Sequence, residues 1–176
     1  IMKNIILLLA ATLLIACNQK PTLQNYFVEN TESTDFISVD VSPSILNIKP
    51  DALTLEQQDA LKSFKKMNVL AFKLNEQNQA KFAPEQEKVK TILKDEKYQQ
   101  LMKFGSGKNG AAVYFVGKDD AIEEFVLFGT QKESGFAVVR ILGDNMKPEE
   151  FMTLFSALQQ SDMDMSQLKS LEGIFK

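Results

Sequence analysis

Histidine is absent from this chain of 176 residues, and so is tryptophan. Without histidine there is no Ser-His-Asp or Cys-His catalytic set, and most zinc sites lose a ligand they depend on. Cysteine occurs once, at Cys17, so no disulfide can form within the chain. A chain of this length can build a core without one, since only small domains depend on such staples. Arginine also occurs once, at Arg140, which leaves little for bidentate recognition of phosphate. Lysine and arginine number 20 against 23 aspartates and glutamates, a net charge of −3, so no broad positive field awaits nucleic acid.

The amino end has a distinct order. Lys3 precedes an apolar run from Ile5 to Ala16, in which Thr12 is the one polar residue, with Met2 expected as the start of translation. The run fits the apolar core of a signal peptide, about 7–15 residues, and falls short of the about 20 that a spanning helix needs. It closes on Leu14-Ile15-Ala16-Cys17. That order of branched apolar, apolar, small residue and cysteine resembles the lipobox of bacterial lipoproteins. The resemblance implies a diacylglyceryl group on the Cys17 sulfur, cleavage just before Cys17, and acylation of the new amino end. One acyl chain holds a protein only marginally to a bilayer, whereas two hold it firmly. The expected partner is therefore the membrane, through palmitate-type chains on Cys17. Asn18 is not the aspartate that retains lipoproteins at the inner membrane of enteric bacteria, and no acidic run follows. By that likeness the anchor is expected in the outer membrane of a bacterial cell envelope, with the domain facing the periplasm.

Three parts follow: a signal peptide over 1–16, the lipidated Cys17 and a polar tether over 17–33, and one domain over 34–176. "NYFVENTES" suits a helical turn or a loop. "DFISVDV" (Asp35 to Val41) alternates as a half-buried strand does. Ser42-Pro43 opens a brief helical turn with Ile45, Leu46 and Ile48. Thr54 and Gln57 form a capping box before "LEQQDALKSFKK", with Leu61 and Phe64 on one helical face. "MNVLAFKL" (Met67 to Leu74) is a strand. "NEQNQAKF" is a loop or frayed helix, and Pro84 opens a helix to about Lys94. Then come four strand-like runs, "YQQLMKF", "AAVYFVG", "IEEFVLFG" and "GFAVVRILG", joined by "GSGKNG", "KDDA" and "TQKES". Connections this short make antiparallel neighbours, hence a four-stranded meander. Pro148, Glu149 and Glu150 start a helix with Phe151, Leu154, Phe155 and Leu158 on one face. Leu168, Leu171, Ile174 and Phe175 mark a last amphipathic piece. The order predicts an α+β fold: an antiparallel or mixed sheet that includes the C-terminal meander, with helices packed mainly on one face.

From Tyr98 onward the chain resembles a family of small exported or lipid-anchored bacterial proteins, domain of unknown function 4252. The likeness rests on "YQQLMKF", on "VYF" and "IEEFVLF" as a hairpin, and on "FAVVRILGDNMKPEEF", in which a strand ends at Gly143-Asp144 and a helix begins. It covers Phe36 to Lys94 more loosely. It implies a shared fold and export, and brings no activity and no catalytic residue with it.

No coherent catalytic set emerges. Gly105 to Gly110, "GSGKNG", matches G-x-G-x-x-G, but a strand follows it where a dinucleotide loop opens a helix. The glycines instead suit a hairpin with positive φ near Asn109-Gly110. Ser63 to Lys66 and Ser166 to Lys169 match S-x-x-K without the companion S-D-N and K-T-G motifs, so both read as solvated helix faces. Asp119-Asp120 suits a turn, and Glu149-Glu150 a helix amino end. Glu123-Glu124 is a third pair, but neighbours in sequence do not make a two-carboxylate cleft. Asp162 to Ser166 begins like a calcium loop but has Gln167 and Gly173 where glycine and glutamate belong. The tail "LKSLEGIF" suits a cover for the chain's own sheet or a dock for a partner. The function expected is a non-enzymatic envelope lipoprotein, a binding or adaptor domain for an envelope protein or component, without cofactor or metal. The alternatives are a histidine-free hydrolase using carboxylates or a Ser-Lys pair, and a small-ligand carrier. No feature speaks to oligomeric state.

Overall fold

Runs of alternating burial and short turns give the chain its sheet. The computed structural model describes residues 20–43, 53–106 and 109–160. Helix α1 is Leu23–Asn30, followed by β1 (Phe36–Val41), α2 (Leu55–Ser63) and β2 (Phe64–Lys73). Helix α3 is Gln79–Ile92, then come β3 (Gln99–Ser106), β4 (Asn109–Lys118), β5 (Ala121–Gln131), β6 (Gly135–Met146) and α4 (Pro148–Gln160). The six strands form one sheet in the order β1-β2-β6-β5-β4-β3, with every pair antiparallel. The fold is α+β, and β3 to β6 make the expected meander. Its last strand lies against β2, which joins the early half of the chain to the late half.

Because successive side chains on a strand point to opposite faces, each strand feeds two cores. Met67, Val69 and Ala71 of β2 join Ala137 and Ile141 of β6 in one core, with Ala60 of α2 and Phe151 of α4. Leu70 and Phe72 join Phe136 and Val138 in the other, with Leu23, Tyr26 and Phe27 of α1 and Val89 and Ile92 of α3. Two helices thus cover each face, where the sequence suggested cover mainly on one. The reason is visible in β2 and β6, which are apolar on both sides, as strands buried from both sides must be.

Several boundaries differ from the sequence reading. Leu23 is fully buried, so the chain enters the core before residue 34, within the stretch expected to be a tether. Thr22 caps α1 by accepting from the Asn25 N–H at 3.1 Å. The capping box at Thr54 is formed: its hydroxyl accepts from Gln57 N–H, and the Gln57 side chain accepts from Thr54 N–H. Helix α2 stops at Ser63 and Phe64 opens β2 opposite Gly143, because the ring finds its cover across the sheet rather than along the helix. Helix α3 starts at Gln79 and carries Pro84 inside it. Phe82, which packs 6.1 Å from both Phe72 and Phe136, draws the helix back past the proline. Before it, Asn78 is buried; its amide donates to Lys73 C=O at 3.0 Å and its oxygen accepts from Asn75 N–H at 2.8 Å. That turn offers no apolar periodicity to read.

Strand β6 continues past Gly143-Asp144 to Met146, with Asn145 at φ 51, a left-handed conformation that asparagine tolerates better than most residues. Gly143 has a clear duty: a Cβ there would lie 2.3 Å from the Ser63 carbonyl, at the junction of α2 and β2. Among the described residues of the β3–β4 hairpin the positive φ is at Gly105 (φ 69), while Asn109 and Gly110 lie in β4. Leu154, Phe155 and Leu158 lie in α4, but their side chains fall outside the described set, as do residues 44–52 and the tail from 161 onward.

Candidate binding cleft

The carboxylates and serines singled out in the sequence do not converge. Asp119 and Asp120 occupy the β4–β5 turn and are exposed. Glu123 is exposed on β5, while its neighbour Glu124 receives Arg140 Nε at 2.6 Å and Nη2 at 3.3 Å. Glu150 accepts from the Ser63 hydroxyl at 2.9 Å and from Lys147 N–H at 3.1 Å, which ties α4 to the end of α2. The single Ser63 hydroxyl hydrogen is shared with the Ala60 carbonyl, 2.8 Å away, while Lys66, on β2, pairs with Asp40 at 2.9 Å. The S-x-x-K spacing therefore straddles a helix-strand junction, and its serine and lysine turn to different partners. Ser166, Lys169 and the Asp162 to Ser166 stretch lie outside the described residues, as does Cys17. Among the described residues no three Cys, Asp or Glu side chains gather to hold a metal ion, and no helix is long and apolar enough to cross a membrane.

Arg140 is put to structural use. The guanidinium is buried, lies 5.5 Å from the Phe27 ring centroid, and is clasped by Glu124. Tyr26 donates to Glu85 at 3.0 Å and so links α1 to α3; burial, then Glu85, pushes its phenol well above the ordinary value.

A different set of residues does converge. Where α3 ends, the meander runs on toward the edge strand β3, leaving a solvent-open cleft of about 250 Å³ on the α1/α3 face. Across the strands, Lys103 of β3 lies opposite Ala112 of β4, and Ala112 opposite Phe128 of β5. Residues paired directly across antiparallel strands share a face, so Lys103 stands at the outer end of a row whose inner members form an apolar floor. Leu93 adds to that floor, and Leu93, Ala112 and Phe128 are all buried. Lys90 and Lys94 line the helical side, and Phe104, 57% exposed, lines the strand side. Among the described residues, three lysines and no carboxylate line the cleft, although the chain as a whole is net negative.

The three cations are not equivalent. Lys90 donates to Gln86 at 2.6 Å and lies in the last turn of α3, where a cation complements the carbonyl end of the helix. Lys94 pairs with Glu87 at 3.6 Å. Lys103 has no hydrogen-bond or ion-pair partner among the described residues. Tyr114 also lines the cleft, and burial pushes its phenol up from the ordinary value, so it remains a donor at neutral pH. The sequence reading passed over these residues; the four-residue spacing of Lys90 and Lys94 was a signal, but only the strand register brings Lys103 to them.

A family model described as "Domain of unknown function (DUF4252)" matches residues 26–154. The chain belongs to this family. The match starts within α1 and takes in every strand, so it extends well beyond the meander that carried the resemblance in the sequence. No curated protein and no solved structure matches the chain.

Proposed function

We propose that this DUF4252 member is a non-enzymatic lipoprotein of the bacterial cell envelope, anchored through Cys17, whose α+β domain is a binding or adaptor module. The observation that carries the proposal is the sequence Leu14-Ile15-Ala16-Cys17 closing an apolar run behind Lys3, with Cys17 the only cysteine. The anchor sits in the outer membrane and the domain faces the periplasm, in keeping with Asn18 and the absence of an acidic run after Cys17. A binding role rather than a catalytic one is supported by the scatter of the carboxylates and by the separate duties of Ser63 and Lys66. A concave site with an apolar floor and placed polar groups is the usual form of a ligand site, and the cleft beside α3 has an apolar floor with lysines at its walls.

The test is the intact mass of the product isolated from cells that express the full chain. The expected product lacks residues 1–16 and carries acyl chains on Cys17, and Cys17→Ser abolishes both changes. An unmodified thiol with the leading residues still attached overturns the proposal.

A further inference from the structure

We infer that the cleft between α3 and the β3–β4 hairpin binds a small single-tailed organic anion, a short- to medium-chain carboxylate, with Lys103 and Tyr114 receiving the charged end. This deepens the reading of the domain as a binding module and rests on it.

Charge complementarity argues for an anion. A cleft lined by one sign of charge over low-dielectric walls concentrates the opposite sign, and among the described residues this one has Lys90, Lys94 and Lys103 with no carboxylate. Lys90 and Lys94 are already engaged by Gln86 and Glu87. Of the lysines that line the cleft, Lys103 is the one without a partner among the described residues, held by the β3–β4 register beside a row of apolar side chains. Its long stem can lie along that row while the ammonium stays at the mouth. Tyr114 lies two residues along β4 from Ala112, on the same face, and its phenol has no hydrogen-bond partner among the described residues. Lys103 and Tyr114 line the same cleft; an ammonium and a neutral phenol are both donors suited to a carboxylate, and hydrogen bonds to an ionised acceptor are the stronger kind.

The body of the ligand follows from the floor and the volume. Leu93, Ala112 and Phe128 offer no polar side-chain group, so the part of the ligand laid on them is apolar. About 250 Å³ lies just below the range of about 300–1,000 Å³ usual for drug-sized ligands. One short chain fits such a space; a two-chain phospholipid does not.

The experiment is a calorimetric titration of the full chain, as the cell processes it and held in neutral lipid discs, with octanoate and with octanol. The heat from empty discs is subtracted. Octanoate is expected to bind saturably and octanol at least tenfold more weakly. Lys103→Gln and Tyr114→Phe each weaken octanoate binding several-fold, while Lys118→Gln, at the far end of β4, leaves it unchanged. All three positions are at least partly exposed, and equal melting temperatures establish that the variants are folded. No saturable octanoate signal overturns the inference; so does equal binding of octanol, or an equal loss in Lys118→Gln. Failure here with Cys17 acylated overturns the ligand class and leaves the anchor standing, because the two are read by different measurements.

Discussion

On the α1/α3 face, Phe36, Phe72, Phe82, Phe128 and Phe136 form a connected set of rings, with Phe72 and Phe136 stacked at 5.4 Å and 2°. On the α2/α4 face the same two strands present Ala71 opposite Ala137, one residue away in sequence. Gly129 lies opposite Ala137, and Ala111 opposite Gly129, so a row of small side chains crosses four strands. The contrast is a product of register. Pairing Phe72 with Phe136 sets Ala71 against Ala137, and a slip of one residue would send rings and methyls to the wrong faces. At this level of the sheet one face carries rings and the other a row of small side chains, from one alternating pattern.

The largest effect should come from emptying the ring-filled face. Phe72 is fully buried, and Phe72→Ala is expected to cost about 3–5 kcal/mol, the range for a core phenylalanine. Denaturant unfolding would measure it, and a loss below about 1 kcal/mol would mean that the rings pack loosely. Next comes Glu124→Ala, on the same face. It leaves Arg140 uncompensated under Phe27, where the two charged side chains are only 13% and 10% exposed. Since some water reaches the pair, the expected loss is about 2–3 kcal/mol, toward the lower side of the values for breaking a buried pair. Arg140→Met together with Glu124→Leu should recover much of it, since an apolar pair of similar volume avoids the stranded charge.

The row of small residues predicts a gain instead. A Cβ on Gly129 would meet nothing within 4 Å, and its φ is not in the left-handed region. Gly129→Ala should therefore stabilise by about 0.4–1 kcal/mol, by restricting the unfolded chain. Gly135 is the counter-case on the neighbouring strand: φ is +125 and a Cβ would lie 1.9 Å from the Phe72 carbonyl, so Gly135→Ala should destabilise. A stability loss in Gly129→Ala would show that the small row is closed over.

The smallest effect is that of acid. The Asp35 carboxyl is held below its usual range by Lys81, and that of Asp95 by the Lys97 N–H and Lys20. For Asp40 burial acts in the raising direction, but Lys66 and Asn68 together outweigh it and the net shift is downward. Lowered carboxyls contribute stability that is fully present above the unfolded value, about 4, and is lost as pH falls through the folded value. Melting temperature should accordingly drop between pH 4 and more acid solution. The drop should be smaller in a variant carrying Asp35→Asn and Asp95→Asn, which bracket α3 at its two ends.

Much of this fold was legible because its signals are local. Alternation in "AAVYFVG" and "IEEFVLFG", turns of two or three residues, and Thr54 with Gln57 act within a few positions of one another. What escaped notice depends on distant partners. Phe64 resembles a helix residue until Gly143 and the far strand provide its cover. Pro84 seems to start a helix until Phe82 is placed against Phe72 and Phe136. Leu23, Tyr26 and Phe27 lie in a short polar stretch, and only the face they cover marks them as core. The cleft escaped for the same reason. Lys90 and Lys103 are ordinary surface lysines in sequence, and they become neighbours only once α3 is laid across a sheet whose register is known.

The early burial of Leu23 sets a leash length. Between Cys17 and Leu23 a trans polypeptide can extend no more than about 20 Å. A domain tied there to acyl chains would ride close against the lipid headgroups, unable to reach a partner across the periplasm. On the proposal of an anchor at Cys17, whatever it met would have to come to the membrane surface, or already reside there.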